Sequence, residues 1–216
     1  LQRGIHGLIL VGGIHAPDLY TRAERSHVPI IQIFSLSDHQ HCVGFDNRDA
    51  TFRAANYLLD IGHKRLAVVT GIRESNDRAS TRAEGVKMAM TERGLTLNPR
   101  NDLVVSSGIV AGRDAFDQLM SSPEEQRPTA IICGTDEIAL GVMSQARECG
   151  IEIPKSLSEI GLNDSSFSSL LSPTLTTVRV DADAIGRLAA LGSRKSLNHK
   201  TTGQTKRIKA EMALRG

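Results

Sequence analysis

Short, continuously apolar runs alternate along the chain with longer segments in which apolar residues recur every three or four positions. Within residues 46–71, apolar side chains recur at helical spacing, Gly62 ends the helix, and residues 66–69 form a continuous apolar run rich in valine. A run of this kind is typical of a strand that is covered on both faces. The segment therefore predicts a helix followed by a buried strand of a parallel sheet.

The same alternation extends over the rest of the chain. Predicted strands cover residues 5–11, 29–34, 42–45, 66–69, 103–105, 129–133, 158–162, 176–180 and 206–213. Predicted helices cover residues 17–26, 46–61, 80–93, 110–120, 136–149 and 182–191, and a polar segment covers residues 193–205. The alternation of strands and helices predicts an α/β fold with parallel sheets and right-handed crossovers.

The composition supports an aliphatic α/β core and narrows the function. The chain has 216 residues, of which 40% are hydrophobic and 3% aromatic. The formal net charge is +2 and basic residues are interspersed with acidic ones, so this segment lacks the one-sided basic surface of a nucleic-acid-binding domain. Cys42, Cys133 and Cys149 cannot complete a set of internal disulfides, which favours a reducing, cytoplasmic compartment. No apolar run reaches the length of a membrane span, so no membrane association is predicted.

Polar residues follow several predicted strands, at the edge where the carboxyl ends of parallel strands meet. Asp46 and Asn47 follow one strand, Asp136 follows another and Asn163 follows a third. Ligands of open parallel sheets bind at this edge, and carboxylate and amide groups offer the donors and acceptors that sugar hydroxyls need. The alternative is that these residues only cap helices and loops. The pattern favours a polyol ligand.

Three further side chains near predicted strand ends can contribute to such a site. Arg78 and Arg82 are one helical turn apart, and an arginine can bind a carboxylate or phosphate through two parallel hydrogen bonds. The alternative for Arg82 is an ion pair with Glu74 or Glu84, or exposure to solvent. Phe34 can stack on the apolar face of a sugar ring, or it can be a core residue at the end of a strand.

Metal binding and catalysis find little support in the sequence. Residues 38–42 carry two histidines and a cysteine, which could bind zinc only with a further ligand from elsewhere, and a solvated turn is the alternative. The sequence contains no G-x-S-x-G, phosphate-binding loop or H-E-x-x-H motif. We therefore predict a protein that is not an enzyme and that needs neither a metal nor a cofactor.

Six segments of the chain carry a family resemblance. They read VGFDN (43–47), YLLDIGHKRLAVVTG (57–71), RAEGVKMAM (82–90), PTAIICGTDEIALGVM (128–143), IPKSLSEIGLND (153–164) and SPTLTTVRVDADAIG (172–186). In order and spacing they resemble the effector-binding core of the lactose repressor and purine repressor family of transcription regulators, over nearly the whole chain.

That resemblance implies a type I periplasmic-binding-protein-like fold, in which a hinge crossed several times joins two doubly wound parallel-sheet subdomains around a small effector. The implied subdomains are residues 1–45 with about 181–205, and residues 46–180 with about 206–216. Homodimerisation and operator binding through a separate N-terminal helix-turn-helix are also implied. Full-length members have two more βα units before residue 5, and without them a sheet edge would be uncovered. We therefore expect further residues upstream of Leu1.

The resemblance assigns effector contacts to Phe34, Asp136 and Asn163, and to Arg78, which matches an arginine of members that resemble sugar-acid regulators. Many members have aspartate where this chain has Asn163, and the amide keeps the hydrogen bonding but loses the charge. The complete predicted effector site is Phe34, Asp46, Asn47, Arg78, Asp136 and Asn163.

The favoured hypothesis is the effector-sensing domain of a bacterial-type transcription regulator that binds a small sugar or sugar acid. A solute-binding protein of a sugar transporter would share the fold, but it would be exported, which the lack of a signal peptide and the odd cysteine count oppose. An α/β enzyme acting on a sugar would need a nucleophile and a base, and the sequence shows no such pair.

Overall fold

The computed structural model describes residues 5–37, 41–198 and 205–215, with the backbone alone for residues 193–198. The chain divides into two compact units. Unit 1 comprises Leu1–Asp46, Glu74–Arg78 and Asp181–Ala210, and unit 2 comprises Asn47–Arg73, Ala79–Val180 and Glu211–Gly216. Each unit contains its own sheet, so each is described by itself.

The described residues contain ten strands and six α-helices. The strands are β1 (Leu8–Val11), β2 (Ile30–Ile33), β3 (His41–Gly44), β4 (Leu66–Thr70), β5 (Asp102–Val104), β6 (Ala130–Cys133), β7 (Ser158–Asn163), β8 (Thr177–Arg179), β9 (Thr205–Arg207) and β10 (Glu211–Ala213). The helices are α1 (Pro17–Arg25), α2 (Asn47–Asp60), α3 (Asp77–Glu92), α4 (Ile109–Met120), α5 (Asp136–Glu148) and α6 (Ala182–Asn198). Short 3-10 turns lie at Pro99–Asn101 and Glu124–Gln126.

Unit 1 contains a four-stranded parallel sheet in the order β1-β2-β3-β9. Helix α6 packs against β2 and β3 and approaches closely at Gly192, where a Cβ atom would lie 3.0 Å from Ile31 Cδ1. Along the edge strand β1, partly buried residues alternate with exposed ones. The exposed residues are Ile9 and Val11, at 47% and 48%. One face of this edge strand therefore leaves apolar surface in contact with solvent.

Unit 2 contains a six-stranded sheet in the order β10-β8-β7-β6-β4-β5, in which only β10 is antiparallel to its neighbour. Every residue of β4 and β6 is buried, as the continuous apolar runs predict. Helix α2 packs against β6 and β8, while α5 packs against β6 and β7. The core beside α4 and α5 includes Phe116, Leu119, Ile131, Ile138 and Val142.

Two glycines allow α4 and α5 to approach each other closely. A Cβ atom on Gly112 would lie 2.1 Å from the carbonyl oxygen of Ile138, and one on Gly141 would lie 2.1 Å from that of Ile109. Any side chain at either position would force the helices apart. Helix α5 begins at a threonine cap, in which the side chain of Thr135 accepts a hydrogen bond from the backbone of Ile138.

The predicted α/β fold is confirmed, and three local expectations are corrected. The closing strand predicted over 206–213 is wrong, because β9 joins the sheet of unit 1 and β10 joins that of unit 2. The polar segment predicted from residue 193 is helical through Asn198, and residues 199–204 lie outside the described residues. Residues 74–78 lie with unit 1, which the local pattern did not indicate.

No helix in the described ranges is both long enough and apolar enough to span a membrane.

Candidate functional site

A buried arginine organises the carboxyl edge of the unit 2 sheet, which is the edge where its parallel strands end. Arg82 lies on α3 and is only 9% exposed. Its Nε atom donates a hydrogen bond to Asn47 Oδ1 at 2.8 Å, and its Nη1 atom donates to the carbonyl oxygen of Gly134 at 2.7 Å. The guanidinium thereby joins the start of α2 to the end of β6.

The position of α3 is fixed by its close packing on α2. Thr51 donates from its hydroxyl to the carbonyl oxygen of Arg82 at 2.7 Å. Gly85 faces the same helix, and a Cβ atom there would lie 2.2 Å from the carbonyl oxygen of Arg48. The small residue at position 85 therefore lets Arg82 reach Asn47.

Asp136 lies at the start of α5 and is fully buried. Its Oδ2 atom accepts hydrogen bonds from the Ser165 backbone at 2.6 Å and from the Ser168 hydroxyl at 3.1 Å, and its Oδ1 atom accepts one from the Thr177 hydroxyl at 2.6 Å. The β7 backbone passes close by, because a Cβ atom on Gly161 would lie 2.3 Å from Asp136 Oδ1. These bonds hold the loop that follows β7, so Asp136 positions that loop from within the unit.

The held loop presents Asn163, which ends β7 and is exposed at the carboxyl edge. Asn163 has a φ of 129° and Asp164 has a φ of 59°, values that L-residues adopt at a conformational cost. Asp164 accepts from Arg179 and Arg215, each at 2.6 Å. Burial alone would raise the pKa of Asp164, but the hydrogen bonds and charges of Arg179 and Arg215 outweigh it and hold that pKa below its usual range.

Unit 1 has a polar carboxyl edge of its own. Asp77 accepts hydrogen bonds from the Gly13 backbone at 3.0 Å and from the Ser35 hydroxyl. Arg78 lies beside Gly12, where a Cβ atom would be 3.2 Å from its Nε atom. Gly12 has a φ of 87°, so glycine suits this close approach for two reasons.

The six predicted site residues divide equally between the units. Phe34, Asp46 and Arg78 lie in unit 1, while Asn47, Asp136 and Asn163 lie in unit 2. Phe34 directly follows β2, is partly buried and has a φ of 62°. Asp46 lies 3.8 Å from the guanidinium of Arg207.

Sequence reasoning weighed Arg82 but left it out of the predicted site. Its suggested pairing with Glu84 is wrong, because Glu84 accepts hydrogen bonds from Arg48. Its burial depends on the packing of α3 on α2, which hydrophobic periodicity alone does not predict. The R-A-E-G sequence at 82–85, with a glycine one turn after the arginine, is the signal that could have pointed to this close packing.

The zinc hypothesis cannot be followed at residues 38–40, which lie outside the described residues. Within the part of the chain that the structure describes, no group of three histidine, cysteine, aspartate or glutamate side chains is placed to hold a metal ion.

Comparison with known proteins relates this geometry to a family. The model of the periplasmic binding protein-like domain matches residues 55–216. Catabolite control protein A of Priestia megaterium is 31% identical over 205 residues, which are 93% of this chain and 60% of that protein. The transcriptional repressor CytR of Escherichia coli K12 is 30% identical and covers 100% of this chain, which corresponds to 63% of the repressor. The chain thus spans less than two thirds of these relatives.

Solved structures agree with the sequence relatives. A putative LacI transcriptional regulator from Bacillus cereus subsp. cytotoxis superposes with a TM-score of 0.91 at 27% identity, covering 99% of this chain and 76% of that protein. A LacI-family regulator from Enterococcus faecium with bound ribose superposes with a TM-score of 0.86 at 20% identity, covering 99% and 80%, which shows the shared fold. These relatives are named as regulators and not as enzymes, in agreement with the prediction for this chain. The chain belongs to the periplasmic binding protein-like domain family and corresponds to the effector-binding core of lactose repressor and purine repressor type regulators.

Proposed function

We propose that this chain senses a small sugar or sugar acid on behalf of a bacterial transcription regulator. The observation that carries the proposal is the carboxyl edge of unit 2, where buried Arg82 orients Asn47 and buried Asp136 holds the loop that presents Asn163. Amide groups in fixed orientations provide both the donors and the acceptors that vicinal hydroxyls require. The ribose bound by the Enterococcus faecium regulator makes a pentose a sensible first probe.

Arg78 and Phe34 in unit 1 would add the features that distinguish one sugar from another. A guanidinium can bind a carboxylate through two parallel hydrogen bonds, so Arg78 is suited to the acid group of a sugar acid. Phe34 can offer its ring face to the apolar face of a sugar. Asp46 completes the proposed contacts in unit 1 as a hydrogen-bond acceptor.

Isothermal titration with ribose and gluconate tests this proposal. Asn163→Gly removes the amide and relieves the positive φ at once, so it should weaken ligand binding by about 1 kcal/mol without lowering the stability of the chain. Arg78→Ala should weaken gluconate by about 2 to 3 kcal/mol and leave ribose nearly unchanged.

Arg48→Ala is the matched control, because Arg48 is half exposed and forms a surface ion pair with Glu84. It should leave both affinities unchanged. Equal affinities in wild type, Asn163→Gly and Arg78→Ala for every ligand that binds would remove these side chains from the site. Binding of a neutral fused-ring compound, with no binding of sugars or sugar acids, would contradict the proposed class of ligand.

We further propose that the regulator works as a cytoplasmic homodimer that binds operator DNA through an N-terminal helix-turn-helix. Effector binding would shift the population of two conformations and so change operator affinity. On unit 2, a groove of about 660 Å³ is lined by residues that include Leu140, Met143, Ile151 and Leu170. Leu170 is 81% exposed. Exposure of this apolar side chain to water is unfavourable in a monomer, and a subunit interface would bury it.

Sedimentation velocity tests the dimer. Leu170→Asp places a charge in the proposed interface and should convert a dimer to a monomer without loss of folding, because the side chain is already exposed. Ile61→Asp, at another exposed apolar position of unit 2, should leave the association state unchanged. A wild-type chain that sediments as a monomer at high concentration would contradict this interface.

A further inference from the structure

Unit 2 contains a second cavity, at the opposite end of strand β7 from Asn163. Its volume is about 300 Å³, within the range of small-molecule sites. Ser158 and Glu159, the first two residues of β7, line it. Asn163 is four positions after Glu159 on the strand, so at about 3.3 Å per residue Glu159 lies about 13 Å from that proposed effector contact.

The lining of this cavity is mostly apolar. Helices α2 and α5, strand β7, the residue after α2 and the segments before β7 and β8 all contribute to it. The apolar side chains include Leu58, Ile61, Met143, Ile153, Ile160 and Leu175. Tyr57 and Ser158 add hydroxyl groups, and Ser158 forms a 2.9 Å hydrogen bond with His63. Arg215 also lines it, but its guanidinium already donates to Leu175 O and Asp164.

Glu159 is the polar group of this cavity that the fold leaves incompletely satisfied. It is 6% exposed, and its Oε1 atom accepts a hydrogen bond from the thiol of Cys133 at 3.4 Å. Its Oε2 atom is buried and has no hydrogen-bond partner among the described residues. Buried carboxyl oxygens are nearly always partnered, so an orphaned oxygen calls for an explanation.

The protonation state of Glu159 decides what it can offer a ligand. Burial raises the pKa of this carboxyl well above its usual range, and the charge of Asp136 raises it further, against the opposing hydrogen bond from Cys133. A neutral carboxyl whose Oε1 atom accepts from a thiol carries its proton on Oε2 and donates from there. The terminal torsion of glutamate is broad, so the carboxyl group of this cavity-lining residue can rotate at little cost to meet an acceptor.

We propose that this cavity binds a compact, neutral, mostly apolar molecule whose single carbonyl oxygen accepts a hydrogen bond from Glu159. The apolar walls would bury the body of the ligand, and the carbonyl would give Oε2 the acceptor that the protein does not supply. A cation suits the cavity less well, because Glu159 is the one carboxyl group that lines it in the described part of the chain.

Isoleucine methyl resonances can locate a ligand in this cavity. The chain is labelled with ¹³C at the isoleucine δ-methyl groups and titrated with 2-piperidone, a small cyclic amide. Ile61 and Ile160 line this cavity and not the neighbouring groove of about 660 Å³, whereas Ile151 lines that groove and not this cavity. Residues shared by the groove and the cavity are Met143, Ile153 and Pro173. We expect saturable shifts of the Ile61 and Ile160 signals with little change at Ile151.

Substitutions at Glu159 test the hydrogen bond. Glu159→Leu should weaken 2-piperidone binding about fivefold to tenfold, the usual effect of losing one hydrogen bond between neutral groups. Glu159→Gln keeps an N–H donor and should bind within about threefold of wild type. Equal affinity of the Glu159→Leu and wild-type chains would overturn the proposal, as would the lack of any saturable shift.

Two controls keep the result interpretable. Ile61→Trp adds bulk at a position that is 55% exposed, so the fold is retained while the cavity is obstructed, and the Ile160 signal should no longer shift. Asn163→Gly should leave 2-piperidone binding unchanged, which separates this cavity from the proposed effector contacts. Tighter binding of piperidinium than of 2-piperidone would overturn the neutral ligand class.

Discussion

Two buried carboxyl groups of unit 2 experience opposite surroundings. The region around Asp136, at the carboxyl edge, supplies one backbone and two hydroxyl donors to its two oxygens. The region around Glu159, toward the amino ends of the strands, supplies only the weak donor of Cys133. Both side chains are at least nine-tenths buried. Burial alone therefore does not decide what a carboxyl group does, because the number of donors around it decides whether its polarity is compensated.

The difference matches the positions of the two groups in the fold. Asp136 lies among loops that return at the carboxyl edge, where backbone N–H groups and hydroxyls converge on it. Glu159 lies within a strand, where the ladder with the neighbouring strand β6 uses backbone groups, and the donor that reaches its carboxyl group is the side chain of Cys133. One carboxyl group therefore organises structure, while the other retains hydrogen-bonding capacity.

Removing the Asp136 carboxylate should have the largest effect. Asp136→Ala removes the acceptor of three donors, two of which are hydroxyls of the buried residues Ser168 and Thr177. We expect it to lower the free energy of unfolding by about 3 to 5 kcal/mol, as measured by urea denaturation. Thr177→Val removes a single donor without changing the shape of the side chain and should cost about 1 to 2 kcal/mol. Asp49→Ala, in an exposed ion pair, should cost below about 0.5 kcal/mol, and an equal loss in all three variants would contradict the role of Asp136.

Glu159→Gln should act in the opposite direction and to a smaller extent. The pKa of Glu159 is raised in the folded chain, so above the unfolded value near 4.5 the unfolded carboxyl ionises while the folded one resists ionisation. Stability therefore falls as the pH rises above that value, up to the pKa of the folded state. The glutamine variant lacks this loss and should be more stable than wild type at neutral and alkaline pH. If Glu159→Gln lowered the free energy of unfolding equally at every pH, the carboxyl group would have hydrogen-bond partners that balance the cost of its burial.

His63 provides the smallest expected effect and a pH dependence of the other sign. Burial lowers the pKa of this imidazole from 6.5, so the unfolded chain takes up a proton more readily than the folded chain. The contribution of neutral His63 to the free energy of unfolding is fully present above pH 6.5. It declines as the pH falls from 6.5 toward the pKa of the folded state. The decline should be shallow, because Thr129 and Ser158 hydroxyls lie 2.9 Å from the two ring nitrogens and can accept hydrogen bonds from imidazolium. Thermal melts of wild type and His63→Gln between pH 5 and 8 should converge at the acidic end, and parallel curves would contradict this assignment.

The elements of the fold were predictable because each has a local signal. The continuous apolar runs of β4 and β6 identify strands buried on both faces, and the structure buries every residue of both. The double role of residues 205–213 was not predictable, because two short strands with a brief link have the same local pattern as one longer strand. The sheet that each strand joins depends on partners that are distant in sequence.

The positions of the candidate residues near strand ends were predictable from the sequence, whereas their burial was not. The rule that ligands bind at the carboxyl ends of parallel strands selected Asn163, which ends β7, and Asn47, which Arg82 joins to the residue that follows β6. Their contact with a ligand stays a prediction. The same rule selected Asp136 as a direct contact, whereas the structure buries it under the loop that it holds. It underrated Arg82, whose burial depends on helix packing.

The sequence by itself determined the α/β class, the order of the elements, the family and the edge of the sheet where polar groups gather, because periodicity, turn residues and motif spacing are local properties. Only the tertiary structure decided which polar groups form hydrogen bonds within the protein and which can still form one with a ligand. That decision depends on donors and acceptors supplied by distant residues, as Ser165 and Thr177 are for Asp136 and Cys133 is for Glu159. Hydrogen bonds are short-range and directional, so their partners become definite only when the chain has folded.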